Sequence, residues 1–265
     1  MNTVKYKTIE EHLQFLYDFV LLMLFYASAH KAQNVGKDIK KIISENTMLL
    51  EICRTDASEK VNILDILAEV NEKGGNRPEI FETTAFPMLK KQLDQIVQTD
   101  YEENLEKPRL KGFNAGSLKY DPPIPSLPAN HCNFHICNAI APKSIFEDET
   151  YLPECFLSLM DKSEKEYAYD TLRTFTWLNA HPAWLRLFPD EWQNNLGTHH
   201  PGGLNNLGIW GQVINAKGLF NEKAGSFIRK NLEFQYKPRA SHCSFENMRI
   251  HLEKLLKGNK NVLIS

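Results

Sequence analysis

Between residues 108 and 128 this chain places Pro108, Gly112, Gly116, Pro122, Pro123, Pro125 and Pro128. Proline locks φ and removes a backbone donor, so no regular helix or central strand tolerates this density. The window predicts an extended connector, stiff from Asp121 to Pro128. Hydrophobic patterning changes across it. Before it, apolar residues recur every three to four positions; after it, short runs alternate. The change predicts an α+β protein in which an N-terminal helical bundle is followed by a mixed or antiparallel sheet with helices on one face. The implied organisation is a helical region over 1–107, the connector over 108–128 and an α+β region over 129–265. Strands are expected only after about residue 128.

The helical reading of the first region rests on specific signals. Thr8 and Glu11 have the spacing of a capping box, in which each side chain satisfies the other's backbone N–H. Leu13, Leu16, Phe19, Val20, Met23, Leu24 and Ala27 then form one broad apolar face. Further helices are predicted over 35–53, 59–72 and from near 82 to 101, with Gly74-Gly75 ending the third. Phe19 to Ala29 is almost wholly apolar, but Asp18 and His30 bound it at about eleven residues, against the ~20 that cross a bilayer. A helix buried within a bundle is the expectation, with no membrane partner.

Beyond the connector, residues 130–140, 171–179, 207–215 and, more weakly, 233–243 read as strands. Helices are predicted over 151–167, 182–188, 189–196, 221–231 and after Ser244. Pro182 and Pro189 suit first-turn positions, where no N–H is needed.

The 265 residues carry a formal net charge of −2 with both signs interspersed, which argues against a nucleic-acid partner held by counterion release. Five cysteines, Cys53, Cys132, Cys137, Cys155 and Cys243, occur at irregular spacing, and the polar first residues do not resemble a secretory signal. Reduced thiols and a cytoplasmic location follow as expectations. Cys132 is expected to be buried with Phe134 and Ile136.

Chemistry-bearing side chains concentrate in His131-Cys132-Asn133-Phe134-His135-Ile136-Cys137-Asn138. In a strand, His131, Asn133, His135 and Cys137 share a polar face, and the two histidines stand about 13 Å apart. That is too far to share one metal, whereas a helix would bring them to metal-ligand spacing. Thr174 and Thr176 share a face of the next predicted strand, and His181 follows it where strand-end loops line crevices. Trp210 and Gln212, in phase on a third strand, would offer an aromatic plate beside an amide; a core tryptophan fits Trp210 equally. Cys243 at a helix start beside His242 could be a thiolate, but an inert thiol is the favoured reading. Gly197 to Gly203, holding His199 and His200, suggests a mobile loop. No phosphate-binding glycine loop, Gly-x-Ser-x-Gly or His-Glu-x-x-His occurs.

These features lead to a small-molecule enzyme using histidine as general acid or base in a sheet-lined pocket of the C-terminal region, its reaction type open. His135, then His131 and His181, would carry the chemistry; Thr176, Trp210 and Gln212 would orient the substrate. Two alternatives remain: an iron- or zinc-dependent enzyme recruiting dispersed histidines with an acid such as Asp170 or Glu147, and a non-catalytic ligand-binding or scaffold protein. The sequence specifies no cofactor and no oligomeric state.

Overall fold

The computed structural model describes residues 8–34, 36–102, 112–198 and 204–262. In chain order its elements are α1 (Ile9–Gln33), α2 (Ile39–Asn46), α3 (Leu49–Ile52), α4 (Ala57–Lys73), α5 (Pro78–Glu102), β1 (Leu118–Tyr120), β2 (His131–Ile136), α6 (Tyr151–Tyr167), β3 (Thr171–Thr176), α7 (Pro182–Leu185), α8 (Asp190–Asn194), α9 (Leu207–Trp210), α10 (Glu222–Asn231), β4 (Arg239–Ser244) and α11 (Phe245–Val262). The protein is α+β, with an N-terminal helical region, a four-stranded mixed sheet and further helices. It forms two compact units: Met1–Glu106 with Pro201–Gln235, and Lys107–His200 with Tyr236–Ser265.

The first unit is helical. Its opening helix starts as its sequence dictates: Glu11 N–H donates to Thr8 Oγ1 at 3.1 Å and Thr8 N–H to Glu11 Oε2 at 2.8 Å. By length and composition α1 could cross a membrane, yet here Phe15, Phe19, Val20, Leu22, Met23, Leu24 and Tyr26 are buried in the unit's core. On α5, Phe81, Ala85, Leu89, Leu93 and Val97 recur every four residues and enter the same core. This helix begins earlier than its apolar pattern implies because Pro78 suits the first helical position. The single helix predicted over 35–53 is broken in two. At the break, Thr47 Oγ1 donates to Ile43 O at 2.6 Å and accepts from Leu49 N–H at 3.3 Å, drawing the backbone out of the helix.

Residues 207–215 are not a strand. The α9 turn passes into a 3₁₀ turn, Gly211–Val213. Ile209, Trp210 and Val213 are fully buried among the N-terminal helices, and a short apolar run buried on all sides carries no periodicity to separate helix from strand.

The second unit holds the sheet, in the order β1-β2-β3-β4. A second correction concerns β1, which lies inside the proline-rich window and pairs antiparallel with β2. The β2 and β3 strands run parallel, which requires a long crossover, and the segment containing α6 supplies it. Antiparallel pairing of β3 with β4 completes the sheet. Burial alternates with period two. Cys132, Phe134, Leu172, Thr174, Ser241 and Cys243 are buried on one face, whereas His135, Phe175 and His242 on the other are exposed. The buried face packs into a core with Phe156, Leu159 and Met160 of α6, Trp184 of α7, Trp192 of α8 and Met248 and Leu252 of α11. All five cysteines are free thiols, and Cys132 is buried as its strand phase predicts.

Asn179 anchors this core at the end of β3. It is fully buried, and its Nδ2 donates to Thr174 O at 3.3 Å and to Arg239 O at 2.8 Å. Its Oδ1 accepts from Trp184 Nε1 at 3.0 Å and from Trp192 Nε1 at 3.3 Å. One amide thereby joins two strands and two helices.

Candidate functional site

The strand pairing decides which side chains meet on the open face of the sheet. Register sets Lys119 beside His135, Asn133 beside Arg173 and Arg173 beside His242. His131 pairs with Thr171, and Thr171 with Ser244. Asp121, just past β1, donates its backbone N–H to Asn133 O at 2.9 Å, which places it alongside the same row. A polar face therefore runs from Asp121 across Asn133 and Arg173 to His242, with His135 on one side of the row and His131 on the other.

Two histidine arrangements stand on this face. His135 Nε2 lies 2.7 Å from Asp121 Oδ2, and Asn133 Nδ2 donates to that same oxygen at 2.6 Å. Asp121 is thus fixed by its backbone and by Asn133, and it in turn orients the His135 ring. The His135 side chain is 47% exposed and Asp121 26%, so the pair is open to solvent and to a ligand. The second arrangement joins His131 and His242, whose rings stack with centroids 5.8 Å apart. Burial, then the neighbouring His242 and Arg173 charges, pull the His131 imidazole below the ordinary histidine range, with Asp170 opposing.

The other predicted site residues lie elsewhere. Because Arg173 aligns with Asn133, Thr174 and Thr176 fall on the covered face. There Thr174 Oγ1 donates to Phe134 O at 2.9 Å, and Thr176 Oγ1 accepts from Leu178 N–H at 3.3 Å, capping the 3₁₀ turn Trp177–Ala180. Substrate orientation by Thr176 is therefore corrected to a capping role.

Trp210 and Gln212 belong to the helical unit. Trp210 is fully buried and donates Nε1–H to Asn46 O at 3.1 Å, with Phe19, Tyr26 and Phe234 around its ring. Gln212 is buried and donates Nε2–H to Ile209 O at 3.2 Å. Neither shares a face with His135.

His181 is the N-cap of α7, packed by Phe146, Trp177 and Tyr236. Burial, then the Arg186 charge, lowers its pKa. His199 and His200 lie outside the described residues.

Cys243 offers no thiolate, and the inert thiol favoured from the sequence fits its burial. It is fully buried, and burial pushes its thiol well above the ordinary range, far from a nucleophile at neutral pH. Burial pushes Cys132 up to about 12.

Among the described residues, no group of three His, Cys, Asp or Glu side chains comes together as a metal donor set. A cavity of about 230 Å³ opens among the helices rather than on the sheet. Its lining includes Phe146, Glu149, Leu152, Arg186 and Leu255.

Sequence reasoning did not single out Asp121, Arg173 or a site role for His242. His242 alternates with Cys243, so its exposure followed from that strand's phase. Asp121 was hidden by the prolines after it. Comparison with protein-family models, with curated proteins and with solved structures finds no match to this chain.

Proposed function

We propose that the protein acts on a small molecule laid against the open face of the sheet, with His135 as general acid or base. The observation that carries this reading is the contact of His135 with Asp121, itself steadied by Asn133. A base oriented by a carboxylate is a recurring arrangement in proton-transfer catalysis. With Nε2–H donated to Asp121, Nδ1 is the nitrogen that takes the substrate's proton. The carboxylate then stabilises the imidazolium that forms and keeps the ring from turning. Histidine suits the task because its ordinary pKa of about 6.5 lets it both accept and return a proton near neutrality.

The test begins with a thermal-shift screen of small polar metabolites, followed by turnover assays on every compound that binds. Ligands should perturb the His135 imidazole resonances. His135→Gln and Asp121→Asn should each cut turnover by at least about 100-fold, the usual size of a general-acid/base contribution. Ligands that bind without touching His135, or turnover that survives His135→Gln, would refute the reading.

The helix-lined cavity favours a second reading, in which the protein binds a ligand without transforming it. Its apolar wall, flanked by Glu149 and Arg186, has the make-up of a small-molecule pocket. Tight binding abolished by Leu152→Trp, with no turnover of any compound screened, would support that alternative.

A further inference from the structure

We propose that Arg173, His131 and His242 form an oxyanion seat, so that the molecule His135 acts upon carries a phosphate or carboxylate group. This rests on the reading of His135 given above and extends it from the proton acceptor to the substrate's charge.

The argument starts from an imbalance of partners on the open face. Each carboxylate there is already engaged. Asp121 accepts from His135 and Asn133. Asp170 Oδ1 accepts from Asn130 Nδ2 and Thr171 Oγ1, both at 2.7 Å. Glu191 accepts from Ser244 N–H, Ser244 Oγ and Asn247 Nδ2. By contrast, no described residue gives the side chain of Arg173, His131 or His242 a hydrogen-bond or ion-pair partner. His131 Nδ1 is moreover buried without a partner, a condition native structures rarely leave unmet.

Geometry gathers these three groups. Arg173 stands between Asn133 and His242 in one cross-strand row, about 5 Å from the backbone of each neighbour. The His131 and His242 rings meet 5.8 Å apart. Two imidazoles and a guanidinium gathered here repel as they charge; Asp170 near His131 and Glu191 near His242 offset part of this without hydrogen-bonding to them, and an oxyanion would relieve the rest. Guanidinium offers a planar fork matching both phosphate and carboxylate, and each histidine adds a donor. Asn133 joins the seat to the His135–Asp121 pair, since it is the register partner of Arg173 and the donor to Asp121. Arg173 stands one strand over and two residues along from His135, roughly 8 Å by strand geometry, so a small substrate held through its anion can span to the proton-transfer group.

The experiment is an NMR titration of the imidazole resonances at constant ionic strength, using inorganic phosphate in one arm and malonate in the other. Saturable shifts at His131 and His242 are expected with at least one anion, and the arm that saturates first identifies the oxyanion. Arg173→Gln should weaken binding by about tenfold or more, the loss expected for a charge-assisted hydrogen bond, while Arg173→Lys should recover part of it. His135→Gln should leave anion binding within about twofold, because that residue handles the proton and not the charge. No saturable shift with either anion, or unchanged affinity in Arg173→Gln, would overturn the seat. Anion binding that persists alongside a failure of His135→Gln to affect turnover would refute the proton-transfer reading and leave the seat standing, so the two claims fail separately.

Discussion

Replacing Asn179 with alanine should be among the most damaging single changes in the sheet-containing unit. The side chain is fully buried and ties four partners: the carbonyls of Thr174 and Arg239, and the indole N–H groups of Trp184 and Trp192. Truncation removes all four hydrogen bonds at once. A buried polar group left unpaired costs about 1–3 kcal/mol, so four give an upper range of roughly 4–12 kcal/mol. Two effects reduce it. The 3.3 Å contacts to Thr174 O and from Trp192 are the longer pair and contribute least. The vacated space is also polar, so a water can enter and re-bond two or more of the groups. The expected loss is about 3–5 kcal/mol, or a fall of roughly 10–20 °C in the transition of this unit. Calorimetry with tryptophan fluorescence measures it. Asn179→Asp should be at least as harmful, since it removes the donors to both strands and buries a charge. A loss below about 1 kcal/mol for Asn179→Ala would refute the assignment of Asn179 as the tie between the sheet and its helices.

Other predictions follow from the same structure. Thiol labelling of native protein should modify half-buried Cys137 first and leave Cys53, Cys132 and Cys243 unreacted until unfolding; rapid labelling of Cys243 would contradict its burial. The lowered pKa of His181 means the unfolded chain binds its proton first, so the stability from its neutral ring is present above about pH 6.5 and is lost as pH falls through the folded value. His181→Phe, which keeps the stacking on Phe146, should therefore flatten the decline in melting temperature between about pH 7 and pH 5. Thr176→Ala should cost about 1 kcal/mol through the lost cap yet leave ligand binding on the open face unchanged, and a binding defect in a stably folded variant would return Thr176 to the site.

What could be read from the sequence, and what could not, divides along local and non-local lines. The Thr8–Glu11 capping box, the helix over Tyr151–Tyr167 and the alternation of His131 to Ile136 are set by neighbours a few residues apart, and each was legible. The relative phase of two strands is not local. Whether Thr174 shares a face with His131 depends on β2–β3 register, and a one-residue offset moves the whole side-chain set to the other face. The candidate site was therefore half legible: His131 and His135 could be placed together on a strand, but their neighbours from β3 and β4 could not. Arg173 and His242 came to light only once the pairing was known. Asp121 was obscured because β1 is three residues long, too short for period two to register against the prolines behind it. Trp210 misled for a different reason. Gly208-Ile209-Trp210-Gly211 has strand-like composition, but its surroundings are helices on every side, and packing overrode the local preference.

The order in which the chain visits its two units bears on how it emerges from the ribosome. The first unit is interrupted after Glu106 and resumes at Pro201, while the second pauses at His200 and resumes at Tyr236. A nascent chain that has reached residue 200 has α1 to α5 but lacks Trp210, Val213, Ile228 and Phe234, which fill the core between them. It has three strands but lacks β4, whose Cys243 and Ser241 seal the buried face. At roughly 5–20 residues per second, about 9–35 seconds separate the first helix from the tryptophan that completes its core. Before that tryptophan emerges α5 already covers much of α1, but the part around Phe19 and Tyr26 that packs on Trp210 and Phe234 stays without its permanent cover, an apolar patch on the growing chain.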